Sequence, residues 1–137
     1  MGAIKYKAGY KYQLVEDYRV DLSEHLPHSN VVGNYYLLSG GTLTVAAGYA
    51  WDGPSGPTFD TKSFMRGSLV HDVLYQMIRN KQVGHPTIDV RKVADNILKQ
   101  LVREDGMSAI RAYWVYRAVR LFGAKAASKP KKVFTAP

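Results

Sequence analysis

The segment GSLVHDVLYQMIRN, residues 67–80, decides the fold class of the second half of the chain. Its apolar residues recur every three or four positions, which is the spacing of one face of an α-helix. The pattern extends back to Phe64, so we predict a helix that begins near residues 60–63 and ends near Asn80. Inside this helix His71 and Asp72 are adjacent, and Tyr75 follows one turn later. Titratable side chains in a largely apolar helix indicate either a functional site or a buried polar network.

Two further helices are predicted after this segment. Thr87 or Asp89 would cap the second helix, whose wide apolar stripe stops at Gly106, a typical residue after a helix C-terminus. The third helix, residues 108–123, is amphipathic, with large apolar residues broadly on one side and arginines on the other. Residues 124–137 contain four lysines and are predicted to form a flexible basic tail.

Strand-like patterns fill the first half of the chain. Segments 10–22, 34–39 and 42–51 are rich in Tyr, Val and Leu, and Gly40-Gly41 predicts a hairpin turn between the last two. We therefore predict an α+β fold, in which a small N-terminal antiparallel sheet is followed by three C-terminal helices. The prediction is a single domain over residues 1–123, with the sheet in 1–51, a Gly- and Pro-rich loop in 51–61 and the helices in 62–123.

Composition limits the compartment and the chemistry. The chain has no cysteine, which suits a reducing compartment and excludes thiol catalysis. We expect no signal peptide, because the N-terminal residues are polar and rich in lysine. No apolar run approaches the roughly 20 residues that a membrane-spanning helix needs, so no transmembrane segment is predicted.

The positive charge is concentrated in the last quarter of the chain. The net charge is +8, and residues 106–137 hold seven basic residues and no acidic residue. Such a block favours an anionic partner, either a phospholipid surface or a nucleic acid, although it is also typical of a tail that only aids solubility. The candidate anion-contacting residues are Arg111, Arg117, Arg120, Lys125, Lys129, Lys131 and Lys132.

His71 has a candidate partner in the next helix. Residues seven apart lie nearly in line along a helix. His71 and Asp95 each lie in line with apolar residues of their own helix, and we call each such line an apolar column. Two antiparallel helices joined by a short loop bring such columns together. A carboxylate on one ring nitrogen leaves the other nitrogen available as a general base. The alternative is a buried His–Asp pair that only holds two helices together.

Asp72 points in another direction. It is rotated by about 100° from His71 and faces a neighbouring segment, for which the loop WDGPSGP, residues 51–57, is a candidate. A carboxylate together with loop carbonyl oxygens is a ligand set that calcium prefers.

The motifs VHDVLY, residues 70–75, and VADNILKQL, residues 93–101, resemble the two catalytic helices of the phospholipase A2 superfamily. The cysteine-free versions carried by viral capsid proteins are the most similar. The resemblance implies a phospholipase A2-like helical pair and calcium-assisted hydrolysis of a lipid ester. His71 would then be the base that activates water, with Asp95 as its orienting partner and Tyr75 as a supporting hydrogen-bond donor.

The same resemblance implies a calcium site. Asp72 would be a ligand, together with the carbonyl groups of Trp51, Gly53 and Ser55. The usual Tyr-x-Gly-x-Gly loop of the superfamily is replaced by WDGPSG, in which Asp52 either ligates the metal or caps the local turn.

Most of the chain is also similar to a family of small phage and prophage proteins of unknown function. In that family an Asp-Gly-x-Ser loop precedes a His-Asp-x-Leu-Tyr helix. This similarity implies a cytoplasmic protein of an infected or lysogenic bacterium, or a virion-associated one. The basic C-terminal region would hold the enzyme on an anionic membrane, with Tyr113, Trp114 and Phe122 as interfacial anchors unless they belong to the core.

Two other functions compete with the hydrolase. The first is a non-catalytic phage structural or accessory protein that binds virion components or nucleic acid through its basic C-terminus. The second is a metal-dependent phosphohydrolase of the His-Asp type. That activity needs further histidines on upstream helices, whereas His25 and His28 lie in a predicted loop.

Overall fold

The computed structural model describes residues 6–7, 12–27, 29–51, 62–83 and 89–128. Strands occupy the N-terminal part of the chain and three helices follow, so the predicted α+β layout is confirmed. The elements are β1 (Tyr6–Lys7), β2 (Tyr12–Leu14), β3 (Tyr18–Asp21), β4 (Val31–Val32), β5 (Tyr36–Ser39), β6 (Thr42–Val45), β7 (Ala50–Trp51), α1 (Lys62–Arg79), α2 (Val90–Glu104) and α3 (Ala109–Ser128).

The strands and the helices belong to two compact units. The strands lie in the first, which comprises residues 1–52 and 135–137, and the helices lie in the second, residues 53–134. That residues 1–123 form a single domain stays a prediction. Among the described residues, no helix combines the length and the apolar character that crossing a bilayer requires.

The strand unit contains an antiparallel four-stranded sheet in the order β3-β6-β5-β4. The predicted hairpin is present, with Ser39 paired to Thr42 across a two-residue turn. Gly40 and Gly41 both have positive φ, 56° and 86°. A turn with two positive φ angles follows the twist of the flanking strands and is accessible to glycine at little cost, which explains the Gly-Gly pair.

The strand unit also holds a second sheet, in the order β1-β2-β7. The predicted strand 10–22 is therefore wrong in part, because it comprises two strands in different sheets. Asp17 lies in the break between them and accepts a hydrogen bond from the Ala47 amide at 2.8 Å. The predicted strand 42–51 is likewise divided, and Gly48 in its break has a φ of 98°. At the first break the carboxylate of Asp17 thus satisfies a backbone amide that a continuous strand would have paired, and at the second break glycine allows the positive φ.

The helices α1 and α2 match their predicted limits. Asp89 caps α2, since its carboxylate accepts a hydrogen bond from the Lys92 amide at 3.1 Å. Gly106 follows the C-cap with a φ of 103°, as expected for a glycine after a helix end. Gly67 lets the two helices approach closely, because a Cβ atom there would lie 3.0 Å from side-chain atoms of Leu98 and Val102.

The third helix is longer than predicted. It continues through Gly123 to Ser128, so the predicted end at Gly123 and a tail beginning at residue 124 are corrected. A glycine is typical of a helix end, but Gly123 lies within α3 and is buried. Its missing side chain makes room for Tyr75, whose hydroxyl would lie 2.5 Å from a Cβ atom at this position.

All three helices pack against one another. Apolar residues of α1, α2, the connection between α2 and α3, and the first half of α3 form one core cluster in the helical unit. The cluster consists of Phe64, Leu98, Val102, Met107, Ala112 and Val115, with Val119 packed against it. This packing fixes the rotation of each helix, and with it the side chains that meet at the candidate site.

Candidate active site

The centre of the site is the carboxylate of Asp95 in α2, which is completely buried, with an exposed fraction of 0%. Its Oδ1 atom lies 2.7 Å from Nε2 of His71 and accepts a hydrogen bond of 2.6 Å from the hydroxyl of Tyr75. Its Oδ2 atom accepts a hydrogen bond of 2.9 Å from Nη1 of Arg120. The predicted contact between the His71 and Asp95 columns is therefore confirmed.

The arrangement decides the tautomer of the imidazole of His71. An ionised carboxylate accepts hydrogen bonds and donates none, so the hydrogen lies on Nε2 of His71, which donates to Asp95. In the neutral ring the lone pair is then on Nδ1, to which no described residue is hydrogen-bonded. The side chain of His71 keeps 14% of its surface exposed, unlike Asp95. Nδ1 of His71 is thus a base without a competing partner in the described part of the chain.

Tyr75 stands one turn after His71 on α1 and shares its carboxylate partner. The two rings are in contact, with centroids 4.1 Å apart. Burial and the hydrogen bond to Asp95 together raise the pKa of the Tyr75 hydroxyl well above its usual value. Tyr75 therefore remains a hydrogen-bond donor to Asp95 throughout the physiological pH range, and its supporting role in a reaction stays a prediction.

Two opposing influences act on the pKa of Asp95. Burial of the carboxylate is the largest single influence, and by itself it would raise the pKa of Asp95. The hydrogen bonds from His71, Tyr75 and Arg120 outweigh burial and hold the pKa of Asp95 below its usual range. The carboxylate is therefore ionised at neutral pH, and it is available to stabilise a positive charge on the imidazole.

Arg120 was predicted to lie on the anion-contacting surface, and its position corrects that prediction. Its guanidinium group faces inward, where Nη1 binds Asp95 and Nη2 lies 3.5 Å from Oδ2 of Asp89. The contact with Asp95 raises the pKa of Arg120 against the opposing effect of burial. The side of α3 that carries Arg120 is the side that packs against the other helices, and the local pattern of charge could not reveal this.

Arg91 is a further member of the site, which the sequence patterns described above do not indicate. Its Nη1 atom lies 3.6 Å from Oδ2 of Asp95 and donates to the hydroxyl of Tyr75 at 3.3 Å. The same guanidinium group donates to the backbone carbonyls of Val119, at 3.0 Å, and Arg120, at 3.2 Å. The sequence does indicate this contact in one way, because Arg91 and Asp95 are four residues apart and such pairs are neighbours on the surface of a helix.

Of the predicted calcium ligands, the described residues include Asp72 and Trp51, which belong to different units. Asp72 is half-buried next to His71 on α1, and Trp51 is buried at the end of β7 in the strand unit. Asp52, Gly53 and Ser55 lie outside the described residues. Within the described ranges, no group of three or more His, Asp or Glu side chains is arranged to hold a metal ion.

Only some of the other predicted anion-contacting residues lie within the described residues. Arg111 and Arg117 are exposed on α3. Lys125 belongs to α3, but its side chain lies outside the described part. Lys129, Lys131 and Lys132 lie beyond the described residues altogether.

The fold and the site define an α+β protein in which a buried aspartate holds a histidine between helices. A family model matches residues 34–119, a range that includes His71, Tyr75, Arg91 and Asp95. The chain belongs to this family, which is described as protein of unknown function (DUF1353). Curated proteins gave no match to the chain, and neither did solved structures.

Proposed function

We propose that the protein is a phospholipase A2-like hydrolase of lipid esters in which His71 is the general base. One observation supports this proposal most strongly. Nε2 of His71 is bound to the buried Asp95 at 2.7 Å, while Nδ1 has no hydrogen-bond partner among the described residues. A base with a fixed tautomer and one free nitrogen is what proton abstraction from water requires.

In the proposed reaction, Nδ1 of His71 takes a proton from a water molecule, and the water oxygen bonds to the ester carbonyl carbon. The carbonyl π electrons move to the carbonyl oxygen to give a tetrahedral oxyanion. Collapse of this intermediate breaks the bond to the alcohol oxygen. The imidazolium then returns its proton to the departing alcohol, so His71 ends the cycle neutral. No serine nucleophile is needed, and the sequence has no Gly-x-Ser-x-Gly motif.

The electrostatics of the buried carboxylate suit this sequence of steps. Asp95 enters the reaction ionised, because three hydrogen bonds keep its pKa low. Its charge stabilises the imidazolium that forms transiently on His71, in the manner of the aspartate in a catalytic triad. Tyr75 and Arg120 donate hydrogen bonds to the carboxylate of Asp95 and hold it in place. The fixed carboxylate keeps the ring of His71 oriented, and because it stays ionised it donates no proton in the reaction.

Calcium is part of the proposal, with Asp72 as its carboxylate ligand and the loop that follows Trp51 as the source of further oxygen ligands. When bound, the ion would neutralise the oxyanion and the phosphate of the substrate. The proposal also includes an anionic phospholipid membrane as the location of the substrate, and a phage or prophage origin of the protein.

The test is release of fatty acid from vesicles of mixed phosphatidylglycerol and phosphatidylethanolamine, with calcium and with a chelator. His71→Gln is the informative variant, because the amide nitrogen of glutamine can replace Nε2 as the donor to Asp95 but supplies no base. His25→Gln makes the same exchange at a half-buried histidine in a turn of the strand unit and is the matched control. We expect calcium-dependent release by the wild type and the control, and a loss of at least about 100-fold in His71→Gln.

A non-catalytic structural role is the second candidate, and one observation favours it. The carboxylate of Asp95 binds side chains from α1 and α3 as well as lying near Arg91 of its own helix, so it ties three helices together. In that case the protein would be a phage structural or accessory component that binds virion proteins or nucleic acid. Failure of the folded wild type to release fatty acid at any calcium concentration would favour this candidate over the hydrolase.

A further inference from the structure

The third helix carries a row of large apolar side chains that face solvent. Ile110, Trp114 and Leu121 are four and seven residues apart, so they lie in line along the helix. Their exposed fractions are 72%, 62% and 63%. Tyr113 and Phe122 flank the row and are also exposed. We refer to these five residues as the outer face of α3.

The outer face does not belong to the core of the helical unit. Ala112 and Val115 are buried on a different side of the same helix from the row, where α3 packs against the rest of the unit. Both sides of α3 are therefore apolar, and only one of them is covered. Exposed apolar side chains grouped along one helix in this way, with the exposed Arg117 between Trp114 and Leu121, mark a binding site for another molecule or a membrane.

Charge on the same helix restricts the occupant. Arg111 and Arg117 are exposed on α3, and no acidic residue occurs anywhere in residues 106–137. A second copy of the chain docked through this surface would bring like charges together, which is unfavourable. A partner with an anionic surface and an apolar interior is complementary to both the positive charge of the arginines and the apolar row.

We propose that the outer face of α3 is a docking surface for an anionic phospholipid bilayer. Ile110, Leu121 and Phe122 enter the acyl region, and the arginines meet the phosphate groups. Trp114 and Tyr113, whose rings touch at a centroid distance of 5.6 Å, lie at the level of the headgroups, where such residues are enriched. The occupied helix lies in the plane of the interface and does not cross the bilayer.

This docking surface rests on the proposed function and adds to it, because it identifies the part of the protein that would bring the active site to a lipid substrate in a membrane. Arg120 is adjacent to Leu121 in sequence but is rotated from it by about 100° on the helix, and there it binds Asp95 at 2.9 Å. The helix that docks on the membrane is thus the same helix that contributes Arg120 to the candidate active site.

The test measures binding without hydrolysis. Flotation with vesicles of phosphatidylglycerol and phosphatidylcholine is performed in chelator with the His71→Gln protein, so its outcome does not depend on the hydrolase. In that background, Trp114→Gln/Leu121→Gln should lower partitioning at least about tenfold. Arg111→Gln and Arg117→Gln should each lower it about fivefold at low salt. Leu37→Thr, which replaces an exposed leucine of β5, is the matched control and should leave partitioning unchanged.

A second measurement locates the contact. Trp51 is 2% exposed and Trp114 is 62% exposed, and the chain has no other tryptophan. Brominated lipids should therefore quench the emission of Trp114 and spare that of Trp51. The proposal is overturned if the folded protein does not bind anionic vesicles, or if Trp114→Gln/Leu121→Gln binds them as well as its parent. It is also overturned if the protein self-associates in solution through this surface and the double variant abolishes that self-association.

Discussion

Replacing Asp95 with asparagine removes a negative charge from the centre of the helical unit with almost no change in side-chain volume. The carboxylate of Asp95 has an exposed fraction of 0% and accepts three hydrogen bonds, including one of 2.9 Å from Arg120. Asparagine keeps one acceptor oxygen for Tyr75 or His71. Its amide group donates hydrogen bonds, so it cannot replace the oxygen that binds Arg120, and this cation keeps only its longer, solvent-exposed contact of 3.5 Å with Asp89.

The magnitude follows from the burial of the groups involved. Removing one partner of a buried ion pair costs about 3–5 kcal/mol, because the remaining charge is left without compensation. Arg120 and Arg91 keep 24% and 18% of their side-chain surface exposed, so water compensates each of them in part. We therefore expect Asp95→Asn to lower the free energy of unfolding by about 3 kcal/mol, the low end of that range. This is a large fraction of the ~5–15 kcal/mol that stabilises a typical domain.

Urea unfolding at neutral pH, followed by far-ultraviolet circular dichroism, measures this loss. Asp89→Asn is the matched control, since Asp89 caps α2, and its 3.5 Å contact with Arg120 involves a carboxylate that is 56% exposed and so contributes little. Asparagine caps helices as well as aspartate does, so the control should stay within about 0.5 kcal/mol of the wild type. Equal unfolding midpoints for Asp95→Asn and the wild type would refute the claim that Asp95 is an ionised member of a buried network.

Two further predictions concern the same network. Gly123→Ala should destabilise the protein by about 1–3 kcal/mol, although alanine normally favours a helix, because its Cβ atom would lie 2.5 Å from the Tyr75 hydroxyl. Thermal unfolding measures this, and an unchanged or raised Tm would contradict the packing described here. The pKa of Asp95 is depressed in the folded state, so its stabilising contribution is complete above the unfolded pKa of about 3.9 and is lost as the pH falls through the folded value. The stability difference between wild type and Asp95→Asn should therefore narrow below about pH 4, and a constant difference down to strongly acidic pH would exclude this linkage.

Those site residues that lie on α1 and α2 could be predicted from the sequence. His71 and Asp95 could be paired because each lies in an apolar column of a strongly periodic helix, and the two helices are consecutive in the chain. Tyr75 stands one turn after His71, so the sequence places it on the same side of α1. Arg91 could have been found by its spacing to Asp95, which is a local property of α2.

Arg120 could not be found in the same way. Its contact with Asp95 depends on the rotation of α3, and apolar residues occur on two sides of that helix. Ala112 and Val115 are small enough for close packing, and they, rather than the larger Trp114 and Leu121, face the other helices. A hydrophobic pattern identifies apolar faces, but which face is buried depends on shape complementarity between helices.

The amino-acid sequence by itself determined the α+β layout, the hairpin at Gly40-Gly41, the limits of α1 and α2, and the pairing of His71 with Asp95. These features arise from backbone preferences and periodicities that act over a few residues or between consecutive helices. Only the tertiary structure decided that two long predicted strands are each divided between two sheets, that α3 continues past Gly123, and that Arg120 faces inward. Each of these depends on contacts between segments far apart in the chain, where packing and burial of charge override local preference.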